Sequence, residues 1–261
     1  MKVLSINLNT YQEDHQFDKF MKIAKTICDE QIDVVLFCEA GQSLMSPYVE
    51  GDIRKDNAVK IICDKVNEIL GSQVYKFKWE MVHFGFKVYE EGLAIMSKHP
   101  LENINSTYVS KTSDHFTFKS RKVIKASIQN VDFYTIHLGW EDDEAEPTAE
   151  QLNQLHDYIQ KESSGKKVIV GGTFNSDVRT KTYRDMISKG YVDLYTQFKP
   201  EGKYEETYIL PQGYNRRGNF YRLDYFFSNQ NNLKIKNAKY MFEGQERVSD
   251  HVGIFIELEV E

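Results

Sequence analysis

The sequence predicts an α+β fold in which two packed, mixed β-sheets are covered on their outer faces by helices. Three observations carry that expectation. Apolar residues recur at helical spacing in both halves of the chain, short apolar strands occur in both halves, and a long middle stretch is extended and free of helices.

The first strand is Val3–Leu8. A helix follows in which Phe17, Phe20, Ala24, Ile27 and Cys28 recur three and four residues apart, and then a strand Val34–Cys38. Asp56 is the expected N-cap of a second helix that buries Val59, Ile62, Val66, Ile69 and Leu70. From Val74 to Leu138 the pattern changes to the runs VYKFKW, GLAIMS, RKVIKASI and VDFYTIHL, divided by polar turns, which predicts mostly antiparallel sheet. A helix begins near Pro147, whose fixed φ suits a first turn, and carries Leu152, Leu155 and Ile159 inward. KKVIVGG is a short buried strand, a further helix runs to Lys189 with Gly190 as its stop, and four strands finish the chain. A doubly wound open sheet fits the first half equally well, but the helix-free middle argues for layered sheets.

Hydrophobic residues make up 41% of the 261 residues, with 16 Tyr and 16 Phe, enough apolar surface for a large core. No repeat or Pro/Gly/Ser-rich linker divides the chain, so a single domain over 1–261 is the economical expectation. The amino terminus turns polar after about eight residues and reads as a strand, not a secretory signal. Nothing elsewhere approaches the ~20 apolar residues of a membrane span. Cys28, Cys38 and Cys63 form neither an even framework nor a CxxC pair, and they read as reduced core residues of a cytoplasmic protein. A net charge of −6 speaks against broad affinity for nucleic acid while leaving room for a local basic groove. The sequence predicts no protein partner.

Several polar residues stand where apolar strands end. Asn7 closes SINLN, Glu39 closes VVLFCE, His137 closes YTIH, Asn175 follows VIVGGTF, Asp224 lies in YRLDYFF, and Asp250 and His251 precede the last strand. Strand ends emerging from a packed core hold side chains rigidly at a crevice. Taken singly, each has an ordinary explanation as a turn former or packed histidine. Their joint occurrence does not.

In that order, SINLN, the glutamate of VVLFCEA, EGLAIMSKHPL, TIHLGW, GGTFN, RLDYFF and SDH resemble the motifs of the endonuclease/exonuclease/phosphatase superfamily over nearly the whole chain. The resemblance implies a deoxyribonuclease I-like four-layer α/β sandwich and a divalent-metal-dependent hydrolase of phosphodiester or phosphomonoester bonds. Water attacks phosphorus in line while charge spreads over the non-bridging and leaving oxygens, which a hard cation stabilises. Mg²⁺ or Mn²⁺ prefers oxygen donors, so Glu39 and Asp250 are the natural ligands, with Asn7 orienting or completing the shell. Without an HExxH or Cys/His cluster a zinc site is not expected. The resemblance places His137 and His251 at the phosphate, pairs Asp224 with His251, and makes Asn175 a donor to a phosphate oxygen. Glu91 is the candidate acid supporting His137 or the metal shell, or else an exposed strand-end glutamate.

The chain departs from the family pattern at Thr173, where GDFN would place an aspartate that helps to orient or deprotonate the attacking water. A hydroxyl can hold a water but cannot take its proton near neutral pH. A natural enzyme with a rerouted base, a phospholigand-binding protein that has lost catalysis, and an inactivating replacement at this position all fit. Thr173 and Asn175, two apart on an extended segment, are expected to face the phosphate together.

For the substrate, Trp140 either stacks on a base or sugar or closes the core. The acidic residues Glu141, Asp142, Asp143, Glu144 and Glu146 around it would repel duplex DNA. A small phosphoester or single-stranded nucleic acid is therefore the expected substrate, with a DNA or RNA nuclease as the alternative. Arg216 and Arg217 are either phosphate contacts on a loop or simply solvated. His83 is a candidate for another wall of the crevice, and Trp79 for packing.

Overall fold

The computed structural model describes residues 1–141, 143–208 and 221–259. In chain order the strands are β1 (Lys2–Asn7), β2 (Val34–Ser43), β3 (Tyr48–Glu50), β4 (Ile53–Arg54), β5 (Lys76–Gly85), β6 (Tyr89–Ser97) and β7 (Glu102–Tyr108). The second half adds β8 (Lys122–Ile128), β9 (Val131–His137), β10 (Lys167–Thr173), β11 (Val192–Asp193), β12 (Asp224–Ser228), β13 (Ile235–Met241) and β14 (Gly253–Leu258). The helices are α1 (Gln16–Glu30), α2 (Ala58–Leu70), α3 (Thr148–Glu162), α4 (Lys181–Ser188) and α5 (Leu194–Phe198).

Two six-stranded sheets form, in the orders β13-β14-β1-β2-β6-β5 and β11-β12-β10-β9-β8-β7, with β3 and β4 as a separate ribbon. Each large sheet has a parallel pair at its centre, β1 with β2 and β9 with β10, flanked by antiparallel neighbours. The sheets pack face to face through Val3, Leu36 and Ile95 from one and Ile124, Phe133 and Phe226 from the other. On the outer faces α1 and α2 bury Ile23, Ile27, Ile62 and Val66, while α3 buries Leu152, Leu155 and Ile159. The layers run α/β/β/α, as the sequence pattern predicts, and the middle of the chain is antiparallel.

Several local expectations differ, among them Phe17, which is 60% exposed at the start of α1. The N-cap of α2 is Asn57, whose side chain accepts hydrogen bonds from the amides of Val59 and Lys60. Asp56 instead accepts from the Ser43 amide and the Tyr11 hydroxyl, fixing the loop before the helix. Ile69 and Leu70 are 47% and 45% exposed, so the buried face of α2 ends at Val66 and Asn67.

The topology also explains where polar side chains gather. The parallel pairs β1/β2 and β9/β10 deliver their carboxyl ends to one edge of the sandwich, and antiparallel β12 and β14 begin there. Asp224 therefore arrives at the start of a strand and not, as expected, at its end. Gly171 permits the close approach of the two sheets beneath this edge, and Gly172 that of the neighbouring strand β9. A Cβ on Gly171 would lie 2.6 Å from Leu36 of the opposite sheet, and one on Gly172, at φ +138°, would lie 2.1 Å from the Ile136 carbonyl.

Candidate active site

Glu39 owes its position to an irregularity. β2 runs ten residues, through and beyond the expected end at Cys38, and its pairing with β6 shifts between Phe37 and Ala40. Glu39 sits in that bulge at φ +46°, a conformation that costs a non-glycine residue energy and here turns the carboxylate to the cleft. Asn175, at φ +49°, is turned in the same way just beyond β10.

A chain of hydrogen bonds then crosses from one sheet to the other. The Asn7 amide donates to Glu39 Oε1 at 2.7 Å and lies 3.3 Å from Thr173 Oγ1. Thr173 donates to Asp224 Oδ1 at 2.7 Å, and Asp224 Oδ2 lies 2.7 Å from His251 Nδ1. Thr173 is fully buried, so its hydroxyl is spent inside this chain and does not reach the cleft beside Asn175 as expected. Thr207 fixes the far end: its hydroxyl accepts from the amides of Leu223 and Asp224, and its carbonyl accepts from Val252.

On the other wall, Asn175 Nδ2 lies 3.1 Å from His137 Nε2 and donates to the Leu138 carbonyl at 2.8 Å. His137 Nε2 is 3.7 Å from Glu39 Oε1. Glu91 does not support His137. It pairs across strands with His83, 3.2 Å from its Nε2, and is buried, not an exposed strand-end residue. His83 lines the cleft, whereas Trp79 packs in the core and donates to the Ala40 carbonyl at 2.8 Å.

The electrostatics of the two histidines diverge. Burial, reinforced by the charges of Arg121 and His251, holds His137 well below the usual imidazole range, so it is neutral. Burial also works against the charged form of His251, but the Asp224 carboxylate outweighs it and lifts the imidazole to about 9. Burial and the neighbouring Glu91 raise the Glu39 carboxyl to about 8, and burial with Glu13 raises Asp250 despite the opposing charge of His251. Carboxylates are thus crowded in a desolvated cleft beyond what the nearby cations offset.

That crowding is the test of a cation site. Glu39 and Asp250 line one cleft and offer hard oxygen donors that suit Mg²⁺ or Mn²⁺. Asn7 reaches Glu39 through its Nδ2, with its Oδ1 accepting from the Asn9 amide at 3.0 Å, so it orients the carboxylate. Among the described residues no group of three or more His, Cys, Asp or Glu is gathered tightly enough to grip a metal alone.

Arg121 escaped the sequence reading. It opens RKVIKASI, immediately before an apolar strand, and its backbone is clamped by Ser110. The side chain is 6% exposed, lines the cleft, and leaves Nε without a partner. Tyr208, also unforeseen, has its ring 4.8 Å from that of His251.

The cleft has a volume of about 530 Å³ and a wall of aromatic residues, Phe84, Phe86, Phe116 and Phe118. Trp140 is 41% exposed and lines it, so it does not close the core. A larger cavity of about 630 Å³ beside Tyr195 and Tyr240 gathers no histidine, so convergence of chemistry and not size selects the site. The acidic residues after Trp140 are largely engaged internally: Glu141 accepts from the Lys181 amide that opens α4, Asp143 pairs with Lys119, and buried Glu146 accepts from the amides of Lys111 and Thr112. They are loop staples more than a collar. Asp142, Arg216 and Arg217 lie outside the described residues.

Among the described residues no helix is long and apolar enough to cross a membrane. Cys28, Cys38 and Cys63 are all free thiols.

Comparison with known proteins bears on these findings. The pattern of the Endonuclease/Exonuclease/phosphatase family matches residues 4–251. A solved endonuclease/exonuclease/phosphatase family protein from Leptotrichia buccalis is 25% identical with a TM-score of 0.87, all of both chains being covered. Two more distant structures share the fold over the whole of both chains: a mannosyl-6-phosphatase from Bacteroides thetaiotaomicron, 14% identical with a TM-score of 0.67, and a Neisseria 3′ phosphatase, NExo, bound to a product DNA hairpin, 16% identical with a TM-score of 0.68. No curated protein sequence matches the chain.

Proposed function

The chain belongs to the endonuclease/exonuclease/phosphatase family, whose members hydrolyse phosphoesters, and on that premise we propose that it is a divalent-metal-dependent phosphoester hydrolase acting as one unit over residues 1–261. The observation that carries this reading is the hydrogen-bonded chain Glu39–Asn7–Thr173–Asp224–His251, which ties a cation-holding carboxylate to a charged imidazole.

Glu39 and Asp250 would hold Mg²⁺ or Mn²⁺, with Asn7 orienting Glu39. When bound, such an ion neutralises charge on the phosphoryl oxygens and eases loss of a proton from water. The rest falls to this chain's own groups. His251, kept charged by Asp224, donates to a phosphate or leaving oxygen, while neutral His137 remains able to accept a proton or hydrogen bond. Asn175, aimed by its left-handed backbone, would turn to the phosphate the amide hydrogen it now gives to His137; Glu91, oriented by His83, and Trp140 border the substrate. Thr173 orients Asp224 and does not act as a base.

Hydrolysis of bis-p-nitrophenyl phosphate in Mg²⁺ and Mn²⁺, against EDTA and Glu39→Ala as blanks, tests the reading. Metal-dependent turnover is expected. A second reading, a phospholigand-binding protein with weakened catalysis, is favoured by the buried Thr173 hydroxyl. Phosphate-ester binding without turnover would select it.

A further inference from the structure

We propose that the site is built for phosphodiesters: the scissile phosphate lies at the junction of two clefts, and one ester substituent occupies each. This rests on the hydrolase reading above and names its substrate class.

The main cleft, about 530 Å³, and a neighbouring one, about 250 Å³, share two lining residues, Asn175 and Trp140. Asn175 is the residue bonded to His137, so the clefts meet where phosphate chemistry is concentrated. Trp140 borders both. The main cleft carries Phe86, Phe116 and Phe118, which are 75%, 73% and 63% exposed, and Phe116 lies 5.0 Å from Phe84, ring centre to ring centre. Faces of this sort suit a planar or apolar substituent. The smaller cleft is walled by Leu223, Tyr221 and Trp140 beside Asp177 and Thr180 and suits a compact substituent.

Volume bears on the choice between ester classes. At ~30 Å³ per water, the smaller cleft has room for roughly eight waters, far more than one phosphate oxygen needs. A monoester, with one organic group, would leave one cleft unfilled. In the reaction the water oxygen bonds to phosphorus, one P–O ester bond breaks, and the departing alkoxide takes up a proton. The products are a phosphomonoester and an alcohol.

The test compares bis-p-nitrophenyl phosphate with p-nitrophenyl phosphate, which share a leaving group, on the Mg²⁺- or Mn²⁺-loaded protein. A kcat/KM at least a hundredfold higher for the diester is expected, and Trp140→Ala should lower the diester-to-monoester ratio at least tenfold. Equal or faster turnover of the monoester, or a ratio unmoved in a folded Trp140→Ala, overturns the proposal. If neither ester turns over, the hydrolase reading fails, and calorimetric binding of the two esters decides the remaining question. Diester binding tenfold tighter supports the two-cleft assignment; equal or weaker binding overturns it.

Discussion

Thr173 donates its hydroxyl hydrogen to Oδ1 of Asp224 at 2.7 Å, while the other oxygen of that carboxylate holds His251. The residue that departs from the family pattern is thus a link in the site. Thr173→Val, similar in shape but unable to donate, should leave the fold intact and lower kcat about tenfold or more by releasing Asp224 from one restraint. Thr173→Asp, at a position buried away from the cleft, should lower both metal-dependent turnover and the melting temperature of the metal-free protein, since it removes the donor to Asp224 and sets a second carboxylate against it. A rise in turnover of roughly 10² or more, the worth of a general base, would show instead that a carboxylate at 173 reaches the attacking water.

Glu39→Gln should separate cation binding from folding. The substitution removes the crowding that lifts the Glu39 carboxyl to about 8, so the metal-free protein should melt no lower than the parent. At a hundredfold excess over Kd, Mg²⁺ or Mn²⁺ should raise the parent's melting temperature by roughly 5–10 °C, and the variant's far less. A metal-induced rise of equal size in both would remove Glu39 from the cation site.

Arg121 is buried without a partner for its Nε, a costly arrangement unless an anion arrives. Arg121→Met keeps the length of the side chain and should match or exceed the parent in stability. Its affinity for inorganic phosphate, measured by calorimetry, should fall roughly ten- to hundredfold, the worth of a charge-assisted hydrogen bond. Phosphate affinity within twofold of the parent would make Arg121 a packing residue only.

The Asp224–His251 pair gives a pH dependence with a definite sign. The folded imidazole titrates near 9, above its unfolded value of about 6.5. The pair therefore contributes stability in full below pH ~6.5 and loses it as pH rises through about 9. Asp224→Asn should accordingly cost more stability at pH 6 than at pH 10 in urea unfolding of the metal-free protein. A cost independent of pH would show that the imidazole is not held charged.

Much of the layering and several strand-end residues were legible in the sequence because periodicity reports which faces are buried. Asn7 and His137 terminate their strands as the apolar runs indicate. What stayed hidden depends on pairing between distant segments. The bulge that turns Glu39 exists only through the register of β2 against β6, and Glu91 meets His83 through a cross-strand pairing that no local pattern encodes. The acidic run after Trp140 looked like a free surface because composition does not disclose that Glu141 would cap a helix and Glu146 would staple a loop. Arg121 went unnoticed because an arginine before a strand is ordinary until its surroundings are known.

The bond between Asn7 and Thr173 joins one sheet to the other at 3.3 Å, near the limit of a hydrogen bond. It acts as an alignment gauge. A slip of about one ångström between the sheets would break it while leaving most apolar contacts of the interior in place. The parts on either side would then drift out of step: the Glu39 carboxylate would move with one slab and Asp224, the anchor of the charged imidazole, with the other. On gentle warming the protein should therefore lose its chemistry before it loses its shape.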